Sequence, residues 1–262
     1  MKIQILDKND IEIRFLLEEV SPAFASALRR VMMSEVPAMV IEWVDFVKND
    51  SALPDEVLAN RLGQIPLTFD KKAYNLLGEC KCKGKGCSRC QVKLSLKKVG
   101  PGMVYSEDLK SKSKDVRAAF EKIQIVELFD EQELEFEAIA QLGKGQDHAK
   151  WQGAVVGYKN VPMVSIDKIC DVCAKCVQKC VKRVLRVESN KLKITNPFEC
   201  NMCLQCIEAC PKDAIKVVPK EDSFIFNVET VCGLSPEELV MGAVDVLEAK
   251  VKEFGKGVKK LK

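Results

Sequence analysis

The sequence predicts an α+β protein in which one domain is built from both ends of the chain and interrupted by inserted segments. Three observations predict it. A capped amphipathic helix stands beside strands near each end, the middle reads as strands and loops, and a cysteine-rich stretch between Cys170 and Val217 repeats itself once. The 262 residues are 47% hydrophobic and 30% charged, an ordinary globular composition with room for two or three modest cores.

From the start, Ile3 to Leu6 and Ile11 to Leu17 read as strands, with Ile11, Ile13 and Phe15 alternating with polar neighbours. Ser21-Pro22 opens a helix with a good N-cap and proline at the first helical position. Phe24, Leu28 and Val31 share one face of it, and Pro37 ends it. Met39 to Val47 is a further strand, and Pro54-Asp55-Glu56 starts a short helix that stops near Gly63. Leu67 to about Val164 reads as strands and loops, Leu134 to Leu142 alternating as a half-buried strand does. Phe224 to Val228 is another strand. Ser235-Pro236-Glu237-Glu238 is a capping box that opens a long helix, its apolar face running through Leu239, Ala243, Val246 or Leu247, and Phe254.

The net charge of +3 is too slight to point to nucleic acid or a membrane, and the lysines after Phe254 read as a solvated end. Met1 to Asp7 is short and mixed, unlike a signal peptide, and no apolar run is long enough to span a bilayer. The expectation is a cytoplasmic protein without membrane contact, whose thiols stay reduced. Thirteen cysteines in that setting, mostly at two-residue spacing, argue for metal rather than disulfides.

The first half of the repeat reads Cys170-x2-Cys173-x2-Cys176-x3-Cys180 and the second Cys200-x2-Cys203-x2-Cys206-x3-Cys210-Pro211. Two-residue spacing lets three thiolates from one tight loop reach three irons of a cubane, and the fourth cysteine of each run ligates the other cluster. The expected sets are Cys170, Cys173, Cys176 and Cys210 for one [4Fe–4S] cluster, and Cys180, Cys200, Cys203 and Cys206 for the other. This module resembles bacterial-type dicluster ferredoxins, with Val181 after Cys180 where that family usually has proline. Two structural zinc sites are the alternative, but they would use CxxC pairs without a third evenly spaced cysteine. With little apolar material of its own, the module is expected to take much of its folding energy from the clusters.

Cys80, Cys82, Cys87 and Cys90 form C-x-C-x4-C-x2-C in a lysine- and glycine-rich loop, where Gly84 and Gly86 let the backbone turn back. A structural tetrahedral zinc is the natural occupant of four such thiolates, against four thiols on a flexible surface loop. Cys232 has no partner in sequence and reads as a small buried filler. The single histidine, His148, reads as a structural hydrogen-bonder. No phosphate-binding loop, dinucleotide turn or tight carboxylate cluster appears, so the sequence offers no catalytic constellation.

The flanking sequence adds a resemblance. Ser21-Pro22-Ala23-Phe24 through Val36-Pro37 resembles the first helix of the D-type assembly subunits of archaeal RNA polymerase, and a related helix occurs in the bacterial alpha subunit's amino-terminal domain. Leu53-Pro54-Asp55-Glu56 through Pro66-Leu67, Gly100 to Ser106, Asp147-His148-Ala149-Lys150-Trp151 and Phe226 to Thr230 look like the same family. Together they cover nearly the whole chain. The resemblance implies a discontinuous polymerase-alpha-like dimerisation domain (residues 1–44 and 220–262), a mostly β insert domain (45–164) and a ferredoxin-like domain with two [4Fe–4S] clusters (165–219). The first and last helices would pair with the small subunit L, and the insert would dock the larger subunits. DNA would be met only through the assembled complex. Phe24, Leu28, Val31, Leu239, Ala243 and Val246 are the expected partner-facing positions. A zinc loop near Cys80 to Cys90 is similar to one in the eukaryotic counterpart, with one more residue between the second and third cysteines here. The function implied is a non-catalytic assembly subunit of RNA polymerase, its clusters structural or redox-regulatory. The rival from another class is a ferredoxin-like electron-transfer subunit of an oxidoreductase.

Overall fold

The computed structural model describes residues 1–260. In chain order the strands and helices are β1 (Lys2–Lys8), β2 (Glu12–Glu18), α1 (Pro22–Ser34), β3 (Ala38–Asn49), α2 (Asp55–Gly63), β4 (Gln91–Val99) and β5 (Gly102–Tyr105). Then come β6 (Lys110–Ser111), β7 (Gln124–Leu128), β8 (Glu133–Gly143), β9 (Ala154–Ile166), α3 (Lys175–Lys179), β10 (Leu185–Glu188) and β11 (Lys191–Ile194). The chain closes with α4 (Gln205–Glu208), β12 (Ile215–Thr230) and α5 (Pro236–Lys259). It is a mixed helix-and-strand fold.

Two compact units divide the chain. The first takes Met1–Asn9, Ile13–Ala27 and Gly157–Asn227. Its sheet runs β1-β2-β12-β9, and β1 pairs antiparallel with β2, Ile3 opposite Leu17 and Ile5 opposite Phe15. Period-two alternation puts Phe224 and Phe226 on one face. Phe226 stacks on Phe15 and on Tyr158, each at 5.1 Å between ring centres, and Tyr158 meets Phe224 edge-on. The opposite face holds Leu16, Val161 and Ile225. The same unit carries the cysteine module, with the β10-β11 hairpin, α3 and α4. Its buried apolar cluster is small, Cys176, Leu185, Ile215 and Val217, with Val184 and Ala214 also buried in the module.

The second unit takes Asp10–Glu12, Leu28–Val156 and the chain from Val228 onward. Its four-stranded sheet runs β3-β8-β4-β6, beside the pair β5-β7. The inward alternation of β8 (Leu134, Phe136, Ala138, Ala140) meets Leu94 and Leu96 of β4, and α2 closes the core with Leu58 and Leu62. At the start of α5, Ser235 Oγ accepts from the Glu238 N–H and Glu238 Oε2 accepts from the Ser235 N–H. Thr230 Oγ1 donates to the Leu234 carbonyl at 2.9 Å and fixes the turn before that cap. A Cβ on Gly153 would come within 2.7 Å of Leu239 Cδ1 and 3.0 Å of the Met32 carbonyl, so α5 seats closely there. Ser235→Ala is expected to lose about 1 kcal/mol of stability, measured as a lowered denaturant midpoint.

The boundaries expected at 44, 164 and 219 fall inside β3, β9 and β12. The two compact units change over at Gly157 in β9 and after Asn227 in β12. The strand expected at Phe224 to Val228 is the second half of β12, whose continuity is masked in sequence by the polar run Pro219-Lys220-Glu221-Asp222. A continuous strand carries no local mark of which core each half serves.

Candidate metal centres

The cysteine module is duplicated in its backbone as well as its spacing. Left-handed residues recur thirty positions apart: Val172 and Met202 (φ 59° and 56°), Ala174 and Leu204 (59° and 63°), Arg183 and Asp213 (52° and 48°). Such a conformation is unfavourable for a β-branched residue such as Val172, and it survives only where the surroundings over-determine it. Here it folds each two-residue gap so that successive thiols turn inward. Two cavities result. Cys170, Cys173, Cys176 and Cys210 line one of them. Cys180, Cys200, Cys203 and Cys206 line the other. These are the two sets the spacing predicts, each borrowing its fourth cysteine from the other half.

Backbone donors already point at several sulfurs. The Val184 N–H donates to Cys180 Sγ and the Ala214 N–H to Cys210 Sγ, both at 3.3 Å, again thirty residues apart. The Met202 N–H donates to Cys200 Sγ at 3.4 Å. Burial pushes the Cys176 thiol up, and so do the charges of Cys210 and Cys170; burial does the same at Cys206, aided by Cys200, Cys180 and Cys203. Among the described residues, no three of these eight sulfurs close to within the 4.8 Å that suits one ion. Four inward thiols spaced wider than a single ion allows, with N–H donors to sulfur, fit a cubane better than zinc.

The other four cysteines behave differently. Cys80, Cys82, Cys87 and Cys90 bring all their sulfurs within 4.8 Å of one another. Cys80 and Cys87 lie 3.6 Å apart, Cys82 and Cys90 3.7 Å, and Cys87 and Cys90 3.7 Å. Zinc bound tetrahedrally to sulfur sets an edge of about 3.8 Å. Gly84 and Gly86, at φ 80° and 81°, make the reversal that the spacing requires. Burial alone would raise the Cys82 thiol, but hydrogen bonds from the Cys80 and Cys90 thiols and the Gly86 and Gly84 backbone outweigh it and hold it at about 7. Burial pushes Cys90 up to about 12. A divalent cation is what would let all four thiols ionise together.

Of the expected partner-facing residues, Leu28, Val31, Leu239 and Ala243 are buried within this chain, while Phe24 and Val246 stay partly open. The apolar stripe of α5 does not stop where its own core stops. Leu247, Val251, Phe254 and Val258 continue it at spacings of four, three and four, and Phe254 is 74% exposed. Val251 and Val258 follow from the same periodicity that singles out Phe254 in the sequence. Cys232 is buried beside Thr230, as a filler would be. His148 Nδ1 accepts from the Lys150 N–H at 3.1 Å, a structural role. Sequence reasoning missed Arg14 and Lys159 beside the Cys200 loop, because no motif links side chains 184 and 41 residues away.

No helix among the described residues is long and apolar enough to cross a membrane. The profile of the RNA polymerase Rpb3/Rpb11 dimerisation domain matches residues 14–251. The chain is 40% identical over 261 residues to the DNA-directed RNA polymerase subunit Rpo3 of Archaeoglobus fulgidus, covering 99% of this chain and 98% of that one. It is 42% identical over 257 residues to Rpo3 of Methanothermobacter thermautotrophicus and 41% over 258 to that of Methanosarcina acetivorans, covering 97% of each chain in both cases. These similarities run from end to end, not through the cysteine stretch alone. The chain belongs to the archaeal Rpo3 (D-type) family of DNA-directed RNA polymerase subunits, an assembly component of that enzyme and not its catalytic part.

Proposed function

We propose that this subunit pairs with an L-type partner through α1 and α5, templates the large subunits, and holds two [4Fe–4S] clusters and one structural zinc. The observation that carries the cluster reading is the pair of cavities, each lined by four cysteines in the crossed arrangement that the doubled spacing demands. The partner reading is supported by the dimerisation-domain family and by the open stripe Val251, Phe254 and Val258, which offers a second helix an apolar seam. The proposed domains keep the sequence limits: 1–44 with 220–262 for dimerisation, 45–164 as insert, 165–219 for the clusters. The clusters supply rigidity to a module with a small apolar core, and the protein's own part is to hold thiols and N–H donors around them. The electron-transfer alternative rests on the cysteine module alone and leaves the rest of the chain unexplained.

An anoxic affinity purification from native cells tests this reading. Recovery of the large polymerase subunits, a small L-like chain and about eight irons per chain is the expected result. Recovery of redox enzymes without polymerase subunits would overturn it. For the Cys80 to Cys90 loop, the expected result is one zinc per chain by metal analysis. Cys90→Ser should lose that zinc and leave the loop open to protease, because two of the remaining sulfurs then lack their neighbour. Full zinc retention in Cys90→Ser would rule the site out.

A further inference from the structure

The two cysteine cavities share a backbone but not their surroundings. The Cys200 loop is held to the sheet from two strands. From β2, Arg14 donates to the Phe198 carbonyl at 3.1 Å and pairs with the Glu199 carboxylate. From β9, Lys159 Nζ donates to the Cys200 carbonyl at 2.7 Å. Phe198 itself packs with Leu16, Val161 and Ile225 of the sheet. Thirty residues earlier the position matching Glu199 is Ile169, which is 56% exposed.

The charges differ as well. Arg14 Nε is buried without a hydrogen-bond partner. Lys182 lines the Cys200 cavity, so three cations gather at this end against the single carboxylate of Glu199. At the Cys170 cavity, Asp171 and Lys212 pair at 3.3 Å and cancel. A cubane with four thiolates is anionic, by about two charges in its oxidised form. The excess positive charge at the Cys200 end is what such an anion would balance, and partly buried cations are costly without one.

Resting on the cluster reading above, we propose that Arg14 and Lys159 are positioning residues for the cluster held by Cys180, Cys200, Cys203 and Cys206. They clamp its loop to the sheet and balance its charge, support without a counterpart at the Cys170 site among the described residues. The two clusters are therefore unequal: the Cys200 site keeps its iron longer and accepts negative charge more easily.

The test uses the full chain purified without oxygen, as wild type and as Lys159→Met, Lys159→Arg and Arg14→Leu. Each is also made in a Cys173→Ser background, which removes the first cluster and leaves the second to be read alone. Two quantities are followed: iron release to a chelator, and the reduction midpoint by electron paramagnetic resonance. Lys159→Met and Arg14→Leu should each release the second site's iron several-fold faster, with the Cys170-site phase unchanged. Lys159→Met should lower the second midpoint, and Lys159→Arg should restore it, which a merely structural role would not produce. Unchanged release and midpoint in both charge-removing variants, in chains that hold about eight irons, would overturn the proposal. A wild-type chain without iron or sulfide would instead sink the cluster reading, and this proposal with it.

Discussion

Phe254→Asp is expected to abolish capture of the L-type subunit while leaving the chain folded. Phe254 stands on the face of α5 that begins with the buried Ala243, but three turns further on, where it is 74% exposed. A carboxylate there removes an aromatic anchor and puts a charge into the seam that a partner helix would cover. The expected loss is about 2–4 kcal/mol, on the order of 30- to 1000-fold in Kd. Fold should survive, since the core side of α5 rests on Leu239 and Ala243, both fully buried, and on the Ser235 cap. Mixing purified subunits and measuring the heterodimer fraction by sedimentation decides the matter. Wild-type association by a folded Phe254→Asp chain would show that the seam lies elsewhere. Val251→Asp, one turn earlier, should weaken pairing in the same direction.

Cys176→Ser is expected to empty the first cluster and melt its loop. Cys176 is 5% exposed and is itself part of the module's small buried cluster, with Leu185, Ile215 and Val217. Serine keeps the size but not the thiolate, so the cubane loses a ligand and the core loses an apolar member together. Iron should fall from about eight to about four per chain, and amide protection should drop around Cys170 to Cys176 and around Cys210, while the loop of Cys200 to Cys206 keeps its own. The β3-β8-β4-β6 sheet has its own core around Phe136, Leu94 and Leu62, and its protection should not change. If the melted region kept its protection after losing the iron, the clusters would not be what folds it. Redox control of assembly would then lose its physical basis, since it requires that cluster loss change the module's shape.

The two cysteine regions were legible in sequence to different depths. Doubled spacing forecast which four cysteines line each cavity, because a tight loop with two-residue gaps can converge its thiols in few ways. The left-handed residues between them were not legible: Val172 and Met202 are not residue types that announce positive φ. The Cys80 to Cys90 loop announced its turn through Gly84 and Gly86, which do take positive φ, and the short sulfur distances follow. At the partner face, period alone could not divide the stripe of α5. Leu239 and Phe254 look alike in sequence, yet one is buried and the other open.

By itself the sequence determined the helices and strands near both ends, the Ser235 cap, the crossed cysteine sets and the family. Each of these is written in local spacing or in residue-by-residue similarity along the chain. Only the tertiary structure decided that β12 runs unbroken from the cysteine module into the sheet. It likewise decided that Arg14 and Lys159 meet the Cys200 loop, and where the apolar stripe of α5 leaves its own core. The physical reason is range: hydrogen bonds within a turn follow from neighbouring residues. Burial and charge compensation depend on which distant strand arrives alongside, and no local pattern records that arrival.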